Sequence, residues 1–146
     1  MHPPENPPIL TEAMYALGRV LLVDDDATHI FLTALTLCQE NAVEQVFEAE
    51  NGRRALELLV QEAPDLVLLD VNMPIMNGYE FLEALRDLAE TWGFTPPAIV
   101  LMTTSERYEG SDRVLRDPMV KGFLTKPLTR DRIDYLLSFT RAGEQA

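Results

Sequence analysis

Four short polar clusters each close a strand-like run, three of them continuously apolar, and their chemistry is complementary. Asp24, Asp25 and Asp26 follow Val20-Leu21-Leu22-Val23, and Asp70 follows Leu66-Val67-Leu68-Leu69. Thr103 and Thr104 follow the apolar residues 98–102, and Lys126-Pro127 follows residues 120–125. Carboxylates gathered in one place repel, and without a cation at least one of them holds its proton above the usual range. With a hard divalent cation they become oxygen ligands. Few protein oxygens at an open, wet rim suit Mg²⁺, which keeps several of its waters. Lys126 adds a fixed positive charge and Thr103 a hydroxyl donor. A cation, an ammonium and a hydroxyl around a carboxylate form an anion site. The anion that fits is a phosphoryl group on the carboxylate itself, a known type of covalent intermediate. Positioning and charge neutralisation are what phosphoryl transfer chiefly asks of a protein. Taken singly, each residue has a plainer reading, since an Asp after a strand serves as a cap or turn residue and a Lys-Pro as a loop. Four such positions at four strand ends of one sheet are much harder to explain that way.

The elements that must position them alternate strand and helix. The run at 20–23 precedes helical spacing over 27–40, with Ile30, Phe31, Ala34, Leu35 and Cys38 on one side. A short strand is predicted over 45–50, where Phe47 and Ala49 alternate with Glu48 and Glu50. Asn51-Gly52 opens a helix carrying Ala55, Leu56, Leu58 and Leu59, and the run at 66–69 follows. Asn77-Gly78 precedes a helix with Phe81, Leu82, Leu85 and Leu88, and Pro96-Pro97 ends the loop after it. The run at 98–102, a short polar helix within 111–117, a strand over 120–125 and a last helix over 130–141 complete five strand–helix units. Fully apolar strands between amphipathic helices predict a parallel sheet covered on both faces. With right-handed crossovers the fold class is α/β, a three-layer, doubly wound sandwich. Ligands in such sheets bind at the carboxyl ends of the strands. If strands one, three, four and five are neighbours, the four clusters converge there.

The chain has 146 residues, enough for one domain. Residues 1–17 read as an arm with a proline-rich start, 18–142 as the domain and 143–146 as a tail. No apolar run approaches the roughly 18 residues of a membrane helix, and the start lacks a signal-peptide pattern. Cys38 is the single cysteine, which excludes an intrachain disulfide and a cysteine zinc cluster. It is expected as a buried core residue, and the chain as cytoplasmic. A net charge of −12 argues against nucleic-acid binding. The acid is concentrated: residues 1–105 carry 4 basic and 17 acidic side chains, and residues 106–146 carry 8 and 7.

In this order and spacing, Leu22-Val23-Asp24-Asp25-Asp26, residues 68–74, Asn77-Gly78, residues 102–105 and Thr125-Lys126-Pro127 resemble the receiver domains of bacterial response regulators, chemotaxis-type proteins of two-component signalling. Any one of these motifs is weak; the ordered set, spanning roughly residues 18–142, is specific. The resemblance implies a five-stranded, flavodoxin-like order 2-1-3-4-5. It implies that Asp70 accepts a phosphoryl group from a sensor histidine kinase or histidine phosphotransferase. Asp24, Asp25, Asp70 and the backbone carbonyl of Asn72 would hold Mg²⁺. Thr103 and Lys126 would bind the phosphoryl group, and Asp26 would fall outside the ligand set and cap the next helix. The Lys126-Pro127 bond is expected to be cis. Thr103 and Phe123 match the switch positions, through which the face of the fourth helix, fifth strand and fifth helix would change shape. Phe123 is otherwise a plain core aromatic. Asn72 and Ser105 border the route of attacking water in such domains and would modulate dephosphorylation. The downstream partner would be a protein target, with a homodimer through the switching face as a further expectation. Arg107, Arg113, Arg116, Arg130 and Arg132 either form ion pairs there or are a solvated surface.

Three other readings compete. A haloacid-dehalogenase-type phosphatase needs a second Asp two residues after the nucleophile, where Asn72 stands. A dinucleotide-binding module needs a glycine-rich turn after strand one, where the three aspartates present the opposite chemistry. The same fold used as a non-phosphorylated adaptor, acting only by protein–protein interaction, would be favoured by a lost acceptor or lysine, and both are present.

Overall fold

The computed structural model describes residues 16–70, 76–103 and 116–140. Five parallel strands, β1 (Gly18–Val23), β2 (Val43–Ala49), β3 (Leu66–Asp70), β4 (Ala98–Thr103) and β5 (Val120–Thr125), form one sheet in the order β2-β1-β3-β4-β5. The helices are α1 (Ala27–Gln39), α2 (Gly52–Glu62), α3 (Gly78–Trp92) and α4 (Ile133–Leu137), the last entered through a 3₁₀ turn at Arg130–Arg132. The expected order 2-1-3-4-5 is the observed one.

Strand periodicity divides the core. Leu21, Val23, Val67, Leu69, Ile99 and Leu101 pack with Ala55, Leu58 and Leu59 of α2 and Phe81, Leu82 and Leu85 of α3. The alternate residues Val20, Leu22, Leu66, Leu68, Val100, Met102 and Leu124 pack with Ile30 and Leu37 of α1 and Ile133 and Leu136 of α4. Successive side chains of a strand point to opposite faces, so these runs are apolar throughout because both faces are covered. The core reaches back to Leu17, which is fully buried and whose N–H donates to the Ala42 carbonyl at 2.9 Å.

Local signals set the helix starts. The Asp26 side chain accepts from the Thr28 and His29 N–H groups, so Asp26 caps α1 as expected. Asn51 accepts from Arg54 N–H at 2.9 Å. Asn77 and Glu80 form a reciprocal capping box at α3. The predicted strand at 45–50 begins two residues earlier, and the last helix is shorter than 130–141. The helix expected within 111–117 falls largely outside the described residues.

One face was misassigned. The stripe expected inward on α1 was Ile30, Phe31, Ala34, Leu35 and Cys38, whereas the helix buries Ile30, Thr33 and Leu37. Phe31 is 63% exposed, Leu32 and Leu35 also face outward, and Cys38 is exposed rather than buried. Apolar residues occupy most of the circumference of α1, so periodicity alone could not choose the inward side. The cap at Asp26 turns His29 and then Thr33 toward the sheet end, and the buried stripe lies about a right angle from the expected one (100° per residue).

Candidate functional site

The carboxyl ends of β1, β3, β4 and β5 lie side by side because β1 pairs with β3, β3 with β4 and β4 with β5. Val23 is opposite Leu69, Asp70 opposite Met102 and Thr103 opposite Thr125, which brings Asp24, Asp70, Thr103 and Lys126 to one rim. The Lys126 N–H donates to the Thr103 carbonyl at 2.6 Å, continuing the ladder one residue past β5. The Lys126-Pro127 peptide is cis, as expected.

Asp24 is bonded through both of its carboxylate oxygens. Its Oδ1 accepts the Asp26 N–H at 2.9 Å. Its Oδ2 lies 2.7 Å from Lys126 Nζ and 2.6 Å from His29 Nδ1. Burial pushes its carboxyl pKa up, but hydrogen bonds from His29, Lys126 and the Asp26 N–H, with the charge of Lys126, outweigh it and hold the pKa well below the usual carboxylate range. Lys126 Nζ also stands 3.6 Å from Asp70 Oδ2, so one ammonium serves both buried carboxylates.

Carboxylate oxygens of Asp24, Asp25 and Asp70 lie within 4.8 Å of one another, Asp24 and Asp70 buried and Asp25 exposed. Such a donor set, all hard oxygen and open on the Asp25 side, fits a divalent cation of the Mg²⁺ type. Thr103 is buried at the end of β4. Phe123 is 45% exposed on the edge strand β5, so it is not the plain core aromatic of the simpler reading. The structure thus brings Asp24, Asp25, Asp70, Thr103 and Lys126 together and leaves Phe123 at the surface. Asn72 and Ser105 lie outside the described residues. His29 is the site residue that sequence reasoning overlooked. Its signal was present: the Asp26 cap places it in the first turn of α1, directly after the acidic cluster.

Residues 20–138 match the family model described as the response regulator receiver domain. Protein PilH of Pseudomonas aeruginosa is 33% identical over 130 residues, covering 87% of this chain and 100% of PilH. A protein-glutamate methylesterase/protein-glutamine glutaminase of Agrobacterium fabrum is 40% identical over 102 residues, covering 70% of this chain but 27% of that protein. The chain therefore spans about a quarter of the length of its methylesterase relatives. The chemotaxis response regulator CheY4 of Vibrio cholerae superposes with a TM-score of 0.65 at 30% identity, covering 84% of this chain and 97% of CheY4.

Proposed function

The chain belongs to the response regulator receiver domains of two-component signalling, and from that premise we propose that it is a switch thrown by phosphorylation of Asp70. The observation that carries this reading is the meeting of three carboxylates within 4.8 Å with an ammonium 3.6 Å from the acceptor Asp70. The donor would be a phosphohistidine of a sensor histidine kinase or histidine phosphotransferase. A carboxylate oxygen of Asp70 attacks phosphorus, the P–N bond breaks, and its electron pair stays on the donor imidazole. Mg²⁺, when bound by Asp24, Asp25, Asp70 and the Asn72 carbonyl, would supply positive charge against the phosphoryl oxygens. Lys126 holds Asp24 now and lies close enough to Asp70 to move onto a phosphoryl oxygen. Thr103 would donate its hydroxyl to another. The chain would catalyse only its own phosphorylation and dephosphorylation, the latter modulated by Asn72 and Ser105.

Two surfaces fit this reading. Helix α1 starts beside the pocket and shows Phe31, Leu32 and Leu35 to solvent, an apolar face on which a donor could rest. On the other flank, Thr103 moving toward the phosphoryl group would let the exposed Phe123 turn inward, reshaping the face of the fourth helix expected within 111–117, the fifth strand β5 and the expected fifth helix, here α4, where a protein target or a second copy would dock. The folded unit of the proposal is residues 18–142 with the buried Leu17 joined to its core, flanked by the rest of the arm 1–17 and the tail 143–146. No described helix is long and apolar enough to cross a membrane; the proposal places the switch in the cytoplasm. The test is transfer of labelled phosphoryl from a phosphohistidine donor. Label should reach the chain with Mg²⁺ present and vanish with a chelator or in Asp70→Asn. Label retained in Asp70→Asn would refute the assignment, and no label from any donor would favour the adaptor reading.

A further inference from the structure

We infer that His29 is a positioning residue that holds Asp24 in place for the divalent cation. The inference rests on reading Asp24, Asp25 and Asp70 as that cation's site. His29 projects from the first turn of α1, its side chain 11% exposed, and its Nδ1 lies 2.6 Å from Asp24 Oδ2. An ionised carboxylate only accepts, so Nδ1 carries the hydrogen and donates. Nε2, on the far side of the ring, lies 3.4 Å from the hydroxyl of buried Thr33, one turn along α1. The imidazole is therefore held at both nitrogens, and the apolar side chains of Ile30, Leu68 and Met102 close the small cavity beneath it.

His29 and Lys126 share Asp24 Oδ2 but are built for different service. Lys126 is a flexible ammonium within reach of Asp70 as well. Once the acceptor carries a phosphoryl group, Lys126 is drawn to it and leaves Asp24. His29 sits in the first turn of a helix and is a short, rigid donor to Asp24. It keeps Asp24 in one orientation before and after Lys126 moves. The Asp26 N–H fixes the other oxygen, so a cation meets a ligand whose rotamer is already set. Outer partners of this kind orient metal ligands, and losing one costs roughly 10–100-fold in metal affinity.

The experiment is calorimetric titration of Mg²⁺ into the full unphosphorylated chain, with thermal unfolding as a check on folding. His29→Leu should bind Mg²⁺ at least about tenfold more weakly than the wild type. His29→Asn should recover most of the affinity, because its amide nitrogen falls where Nδ1 stands. Affinity unchanged or tightened in His29→Leu, or lost equally in His29→Asn, would overturn the inference. If His29→Leu does not fold, His29→Gln replaces it. The glutamine nitrogen falls at the Nε2 position, so Asn should bind Mg²⁺ more tightly than Gln, and equal or reversed affinities would overturn the inference. A wild-type chain that binds no Mg²⁺ would remove the cation-site reading itself, whereas wild-type binding with an indifferent His29 would remove only this inference.

Discussion

At the scale of single residues, the site is an arrangement of charges around Asp70. Lys126 is a cation of the rim, 2.7 Å from Asp24 and 3.6 Å from Asp70. Its replacement should split two observables. Lys126→Ala removes a competitor for Asp24, so Mg²⁺ should bind as tightly as before or more so. The same change removes a preorganised charge from the phosphoryl site, so phosphoryl gain should slow by about a hundredfold, the scale for losing one electrostatic donor. Parallel loss of both would mean that Lys126 only holds the fold. Asp24 makes a second prediction. Its carboxyl is held below the usual range in the folded chain, so the unfolded chain binds the proton first as pH falls. Asp24 therefore contributes stability above the ordinary carboxylate range and loses it as pH drops below that range. Urea unfolding of the metal-free chain should show a larger loss between neutral pH and pH ~3 in the wild type than in Asp24→Asn. Equal losses would contradict the ion-pair account.

At the scale of elements, caps and strand ends do the positioning. Asn77 caps α3 and shares a capping box with Glu80, with bonds of 2.9 and 3.2 Å. Asn77→Ala should lower stability by about 1 kcal/mol, read as a lower unfolding midpoint in urea with little change in slope; an unchanged midpoint would show that α3 is held by packing alone. Strands β1, β3 and β4 were legible as apolar runs ended by Asp24, Asp70 and Thr103, whereas β2 showed only as alternation and β5, which carries Lys121, was marked at its end by Lys126-Pro127. The rim was therefore readable before its geometry was known. Helix α1 was not readable in the same way. Phe31, Leu32, Leu35 and Cys38 compete with Ile30 and Leu37 for the inward side, and the choice falls to a polar contact, His29 with Asp24, that hydrophobic spacing cannot register. Both errors, the buried Cys38 and the missing His29, follow from that one rotation.

At the scale of the whole molecule, two cores on the two faces of one sheet fix its strands, and tertiary polar contacts fix the approach to β5. Arg86 of α3 bonds the buried Asp117 carboxylate, whose other oxygen accepts the Met119 N–H at 2.9 Å just before β5 begins. Asp117→Ala strips partners from both, and should destabilise the fold by roughly 1–3 kcal/mol. Because Phe123 and Lys126 are carried by β5, the same variant should loosen the coupling between the pocket and the β5–α4 face. Thermal unfolding measures the first effect; a melting temperature equal to the wild type would mean that the Arg86–Asp117 contact does not anchor β5. The order of the strands, by contrast, was supplied by resemblance and not by periodicity, which gives an α/β class but no neighbour list. The central claim is that one carboxylate, Asp70, takes up one phosphoryl group in a cation-dependent reaction. Intact mass after incubation with Mg²⁺ and acetyl phosphate tests it most directly. The account predicts a gain of one phosphoryl group in the wild type, and none without Mg²⁺ or in Asp70→Asn. A gain that survives the loss of Asp70 would contradict it.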